Sequence, residues 1–149
     1  MKTETKRLGR MFSEAYMLWV RGTYGALEAG GFAEIRPSHS PVFRHISPEG
    51  SRVVDLAAAA GLKKQSMAYL VNDLESAGYV SMSPDPNDGR ARLVRLTPRG
   101  EEASAALAAK SIALENRFGS IIGHDKIETL RALMAVLLAA DDIGPDASL

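Results

Sequence analysis

Four arginines fall within the stretch DPNDGRARLVRLTPRG, from Asp85 to Gly100. Guanidinium groups at that density, on a segment broken by prolines and glycines, suit phosphate or minor-groove contacts better than a packed interior. Asp88 lies two residues before Arg90, close enough to orient its guanidinium by a charge-assisted hydrogen bond. Arg92 follows on the same run. A second set lies upstream in Lys63, Lys64, Gln65, Ser66 and Tyr69. Glutamine can read adenine with two hydrogen bonds, and serine and tyrosine can reach base edges or phosphates. Lysines at a helix start sit where the backbone dipole also favours phosphate. Each set has a plainer reading as well, a polar outer face on a helix or a hairpin whose charges block edge aggregation. The plain hairpin accounts for the charge but not for the Asp-x-Arg spacing.

These side chains need elements to hold them. Leu8, Met11, Phe12, Ala15, Tyr16, Trp19, Thr23, Ala26 and Leu27 recur at three- and four-residue steps, the pattern of a long amphipathic helix stopped by AGG at 29–31. RPSHSPVFRHI (36–46) predicts a short helix with Ser38 or Ser40 as cap and proline in its first turn. RVVDLAAAAG (52–61) predicts a third helix closed by Gly61, and LKKQSMAYLVNDLESAG (62–78) a fourth. In the fourth, Met67, Leu70, Val71 and Leu74 form the apolar stripe. YVSMSP (79–84) and RARLVRL (90–96) read as paired strands around a longer, proline-bearing loop, DPNDG. Thr97 caps the next helix with Pro98 at its first position, running to about Phe118. Asp125 with Glu128 reads as a capping box for a last helix reaching about Ala140, and DDIGPDASL as a frayed tail.

Two short helices joined at a glycine and followed by a hairpin describe a winged helix-turn-helix. The fold class is therefore mainly α with a small β-hairpin wing (α+β), flanked by long N- and C-terminal helices. The second helix of the pair, carrying Gln65, Ser66 and Tyr69, would enter the major groove.

Composition narrows the functions. The chain has 149 residues, ordinary globular composition and no cysteine, which removes disulfides, thiolate metal sites and thiol redox sensing. The absence of a signal-peptide pattern or a bilayer-length apolar run points to a cytoplasmic protein with no membrane partner. His39, His45 and His124 lack metal-ligand spacing, so no metal and no cofactor are expected. No nucleophile elbow, Walker loop or zinc-protease motif occurs, and Glu101 and Glu102 fit helix-start electrostatics. An enzyme is not expected. Formal net charge is zero, yet residues 36–99 carry +3 while the chain after Gly100 carries −4. A local basic face matters more for nucleic acid than the total.

VVDLAAAAGL (53–62), SMAYLVNDLESAGYV (66–80) and DGRARLVRLTPRG (88–100) resemble the MarR family of bacterial transcription regulators. The last fits the family's D-x-R-x-x-x-V-x-L-T-x-x-G pattern through Asp88, Arg90, Val94, Leu96, Thr97 and Gly100. The resemblance implies a homodimer that binds double-stranded DNA at a pseudo-palindromic operator, as a ligand-responsive repressor. It divides the chain into an N-terminal dimerisation helix (1–35), a DNA-binding lobe (36–97) and C-terminal dimerisation helices (98–149), intertwined as one domain. It makes Arg90 the wing-tip arginine and Asp88 its orienting partner. It implies a small aromatic or anionic effector in a cleft for which Tyr16, Trp19, Arg21, Tyr24, His39 and Phe43 are candidates. Tyr16 and Trp19 also fit dimer or core packing at helical spacing. Tyr69, Asp73 and Met82 stand where many members carry basic residues, and Lys63 where a capping serine is common. With the neutral total charge, those departures leave a second reading open: a winged-helix protein-interaction module without sequence-specific DNA binding.

Overall fold

The computed structural model describes residues 6–140, so the tail expected at 141–149 lies outside the described residues. Helix α1 spans Leu8–Ala29. A 3-10 turn, Pro37–His39, leads into α2, Ser40–His45. Then follow β1 (Ser51–Arg52), α3 (Val53–Ala60), α4 (Lys64–Ser76), β2 (Val80–Asp85), β3 (Asp88–Leu96), α5 (Pro98–Ile122) and α6 (His124–Ala139). The sheet is antiparallel in the order β1-β3-β2. This is the mainly helical winged helix-turn-helix that the sequence predicts.

Several local expectations are corrected. Strand β1 joins the hairpin as a third strand through Ser51↔Val94 and Arg52↔Leu93. Two residues are too few to leave an alternating pattern in the sequence. The wing turn is tighter than the expected loop, because Asp85 already pairs with Asp88 and only Pro86 and Asn87 lie between them. The start of α2 has no serine side-chain cap. There the His39 Nδ1 accepts the Arg36 amide at 3.0 Å. Helix α5 continues to Ile122, and Gly123, not Asp125, occupies the N-cap position of α6.

The described residues form two compact units, divided between Lys110 and Ser111. In the first, Leu27, Val42, Leu56, Met67, Val71, Leu74, Tyr79, Val80 and Val94 make the core. Each such side chain contributes roughly 1.5–3 kcal/mol when fully buried. The turn between α3 and α4 is made by Gly61 at φ 64°, a left-handed position that glycine adopts without a Cβ clash. Leu62 then donates its amide to the Ala57 carbonyl at 2.9 Å and closes α3. In the second unit, Arg131 pairs with Glu115 and Glu128.

The L-T-x-x-G part of the motif has a structural reason. Thr97 donates its amide to the Tyr79 carbonyl at 3.0 Å and its hydroxyl to the Gly78 carbonyl at 2.6 Å. The same hydroxyl accepts the Gly100 amide at 3.1 Å, capping α5. Gly100 packs so closely on the Tyr79 carbonyl that a Cβ there would lie 1.9 Å from the oxygen. The junction thus ties the end of α4, the start of β2 and the start of α5 together.

Candidate nucleic-acid interface

Helix α4 presents two unlike faces. Met67, Val71 and Leu74 are fully buried, while Lys64, Gln65, Ser66 and Tyr69 are exposed. Lys63, also exposed, is the N-cap residue but makes no side-chain cap bond. The first-turn amides of α4 therefore remain available to an anion. The five upstream candidates thus share one uncovered end of one helix.

Asp73, on the same helix, turns back into the protein. Its Oδ2 lies 2.8 Å from His39 Nε2 and also pairs with Arg36. His39 is buried, and because its Nδ1 accepts the Arg36 amide, its Nε2 is the donor to Asp73. The bond to His39, followed by the charge of Arg36, holds the Asp73 carboxyl below its ordinary pKa. The Asp73 charge is thereby matched by Arg36 and by the buried His39 on its own protein, although the carboxylate stays partly exposed.

The wing carries Asp88, Arg90 and Arg92, all exposed. The expected Asp88–Arg90 contact takes another form: Asp88 Oδ1 accepts the backbone amide of Arg90 at 3.1 Å. The carboxylate holds the return strand and not the guanidinium, because an Asx-type turn closes locally at this spacing. Arg92 donates to the Met82 carbonyl at 3.1 Å across the hairpin. The element that fixes the wing was not foreseen. Arg52, on β1, grips Asp85 through Nε at 2.8 Å and Nη2 at 2.5 Å, and its Nη1 lies 3.8 Å from Asp88. The Asp85 side chain is 5% exposed, and the Asn87 amide, then Arg52, lower its pKa. No local signal could have paired Arg52 with Asp85, since the contact exists only once β1 joins the sheet.

The effector candidates do not share one environment. Tyr16 and Arg21 are exposed on α1, and Trp19 is half-buried. Tyr24 is half-buried, and burial raises its pKa against a hydrogen bond with Ser40. His39 has both ring nitrogens engaged and offers none to a ligand. Phe43 lines a cleft of about 600 Å³ together with Ile46, Arg95, Leu96, Glu101 and Ser104. Arg95 also donates to Ser83 Oγ at 2.9 Å.

An exposed polar helix behind a glycine turn, followed by a braced cationic hairpin, defines a winged helix-turn-helix protein. The MarR family model matches residues 34–91, the span from before α2 to the wing. Over that segment, which is less than half of its length, the chain resembles the MarR family. It is similar to BadR of Rhodopseudomonas palustris, a transcriptional activatory protein. The two are 29% identical over 142 residues, covering 92% of this chain and 79% of BadR. Its fold is similar to that of CouR, a transcriptional repressor solved bound to a 23-mer DNA duplex. That likeness has a TM-score of 0.74 at 20% identity, over 93% of this chain and 96% of CouR. It also resembles the PcaV regulator of Streptomyces coelicolor, solved with its natural ligand. There the TM-score is 0.66 at 23% identity, over 93% of this chain and 95% of PcaV. Among the described residues no helix is long and apolar enough to cross a membrane.

Proposed function

We propose that this protein is a transcriptional regulator of the MarR type that binds a pseudo-palindromic operator as a homodimer, acts in the cytoplasm as a repressor, and is released by a small aromatic or anionic effector. The observation that carries the DNA reading is the two-faced α4, exposed at Lys64, Gln65, Ser66 and Tyr69 over a fully buried stripe. The wing complements it, with Arg90 held beside a strand pair braced by Arg52 and Asp85. Gln65, Ser66 and Tyr69 read bases, Lys63 and Lys64 contact phosphate, and Arg90 and Arg92 reach the flanking minor groove or its phosphates.

Dimerisation is supported by apolar side chains that a monomer rarely exposes in such number. On α1 they include Leu8, Met11, Phe12, Tyr16, Met17 and Leu18. On α6 they include Leu130, Leu133, Val136, Leu137 and Leu138, and no residue of that helix is buried. A second copy of the chain covers these rows. The effector reading is supported by the Phe43 cleft, which offers an aromatic ring and the Arg95 guanidinium, a pairing that suits an aromatic carboxylate. The effector works by favouring whichever state spaces the two α4 helices wrongly for DNA.

The test is fluorescence anisotropy with the duplex upstream of the protein's own gene and a scrambled duplex, over a range of salt. Specific, salt-sensitive binding is expected. Arg90→Ala should weaken it and reduce the salt slope by about 2 for a dimer, one phosphate contact per copy. Equal binding of both duplexes, with no sequence enriched from a random pool, would refute a site-specific regulator. A reporter driven by the upstream DNA, silenced by the protein and restored by an effector, tests the repressor assignment.

A further inference from the structure

The reading end of α4 is not wholly polar. Pro41, Leu62, Tyr69 and Leu70 line an open groove of about 550 Å³, walled by Ser38, Gln65 and Ser66. Leu62 is 37% exposed and Tyr69 65% exposed, so apolar surface stands uncovered beside the hydrogen-bonding groups. Lys63 and Lys64 flank this end, which suits a polyanion and disfavours an apolar protein segment. The major-groove edge of DNA offers one apolar group, the 5-methyl of thymine. We propose that this groove seats a thymine methyl in each operator half-site, making Leu62 and Tyr69 specificity-determining residues. The inference rests on the DNA-binding reading and adds a base preference to it. Gln65 and Ser66 line the same groove, so hydrogen-bond readout and methyl readout fall on neighbouring bases. The departure at Tyr69 then acquires a role: a flat ring packs a methyl where a cationic side chain would seek a phosphate or guanine.

The experiment selects binding sites from random duplexes with the full chain, then replaces each thymine of the selected site in turn by deoxyuridine. That change removes one methyl and leaves base pairing intact. At one thymine per half-site, affinity should fall about fourfold, the effect of one buried methyl, and about fifteenfold when both half-sites are changed. The penalty should vanish in Tyr69→Ala and in Leu62→Ala, whose exposed positions leave folding intact. If uridine is tolerated everywhere while the site is still preferred over scrambled DNA, the groove reads no methyl and the DNA reading stands. A uridine penalty unchanged in both variants places the methyl elsewhere and also overturns the proposal. If no sequence is enriched, both readings fall.

Discussion

A methyl group placed on Gly100 would lie 1.9 Å from the Tyr79 carbonyl oxygen, 3.0 Å from the carbonyl carbon and 3.2 Å from Leu96 Cδ2. The two atoms that give the closest contacts are backbone, so no side-chain rotation relieves them. Relief requires moving the start of α5 away from the β2 strand by more than an ångström. That movement strains the Thr97 amide bond to Tyr79 and the Thr97 hydroxyl cap on Gly100, now 3.0 and 3.1 Å. A lost cap costs about 1 kcal/mol, a backbone hydrogen bond about 1 kcal/mol, and overpacking about 1–3 kcal/mol. Gly100→Ala should therefore destabilise by about 3–5 kcal/mol, a large share of the roughly 5–15 kcal/mol typical of a domain. The assay is urea unfolding at one fixed protein concentration, because subunit association would otherwise enter the result. Gly89→Ala is the control, since nothing lies within 4 Å of a Cβ there; its cost should stay within about 0.5 kcal/mol. If Gly100→Ala unfolds within about 1 kcal/mol of that control, the close approach is not what requires glycine.

Other outcomes follow from the same geometry. Thr97→Val keeps the shape and removes the hydroxyl that serves Gly78 and Gly100; it should cost about 1–2 kcal/mol in urea unfolding, and a neutral result would deny the cap. Arg52→Met leaves the buried Asp85 carboxylate without its guanidinium; amide exchange at Asn87 and Arg90 should quicken selectively, with Val71 and Leu74 unchanged, whereas uniform quickening would make Arg52 a general stabiliser. Asp73 and Asp85 both have lowered pKa values, Asp73 mainly through His39 and Asp85 mainly through the Asn87 amide. Their stabilisation is complete above the unfolded value of about 3.9 and is lost as pH falls through the lower native values. Stability should thus rise with pH through this acid range, and the Asp73→Asn, Asp85→Asn double variant should show a flatter curve there in urea unfolding at stepped pH.

The local pattern carried the elements far. Three- and four-residue apolar spacing marked α1 and α4; of the stripe read in α4, Met67, Val71 and Leu74 are buried, while Leu70 is half-buried at the edge of an open groove. Gly61 marked the turn because a left-handed residue is needed where α3 stops and α4 begins. The errors lie where competing short-range signals were equally good. Asp125 and Glu128 have capping-box spacing, yet Gly123 occupies the cap position and Glu128 pairs with Arg131. The serines near α2 are good caps in general, but His39 takes the Arg36 amide because its ring is already fixed by Asp73.

By itself, then, the sequence determined the succession of helices, the helix turn, the cationic wing and the family pattern. These are properties of neighbours within a few positions of each other, governed by periodicity, backbone preference and local charge. Only the tertiary structure decided that β1 exists, that Arg52 braces Asp85, and that Asp73 points at His39 and Arg36. It alone brought Pro41 and Leu62 beside Tyr69 and set Gly100 against Tyr79. Those pairings join distant chain segments, and which partner each side chain finds follows from how the core packs, which no local spacing encodes.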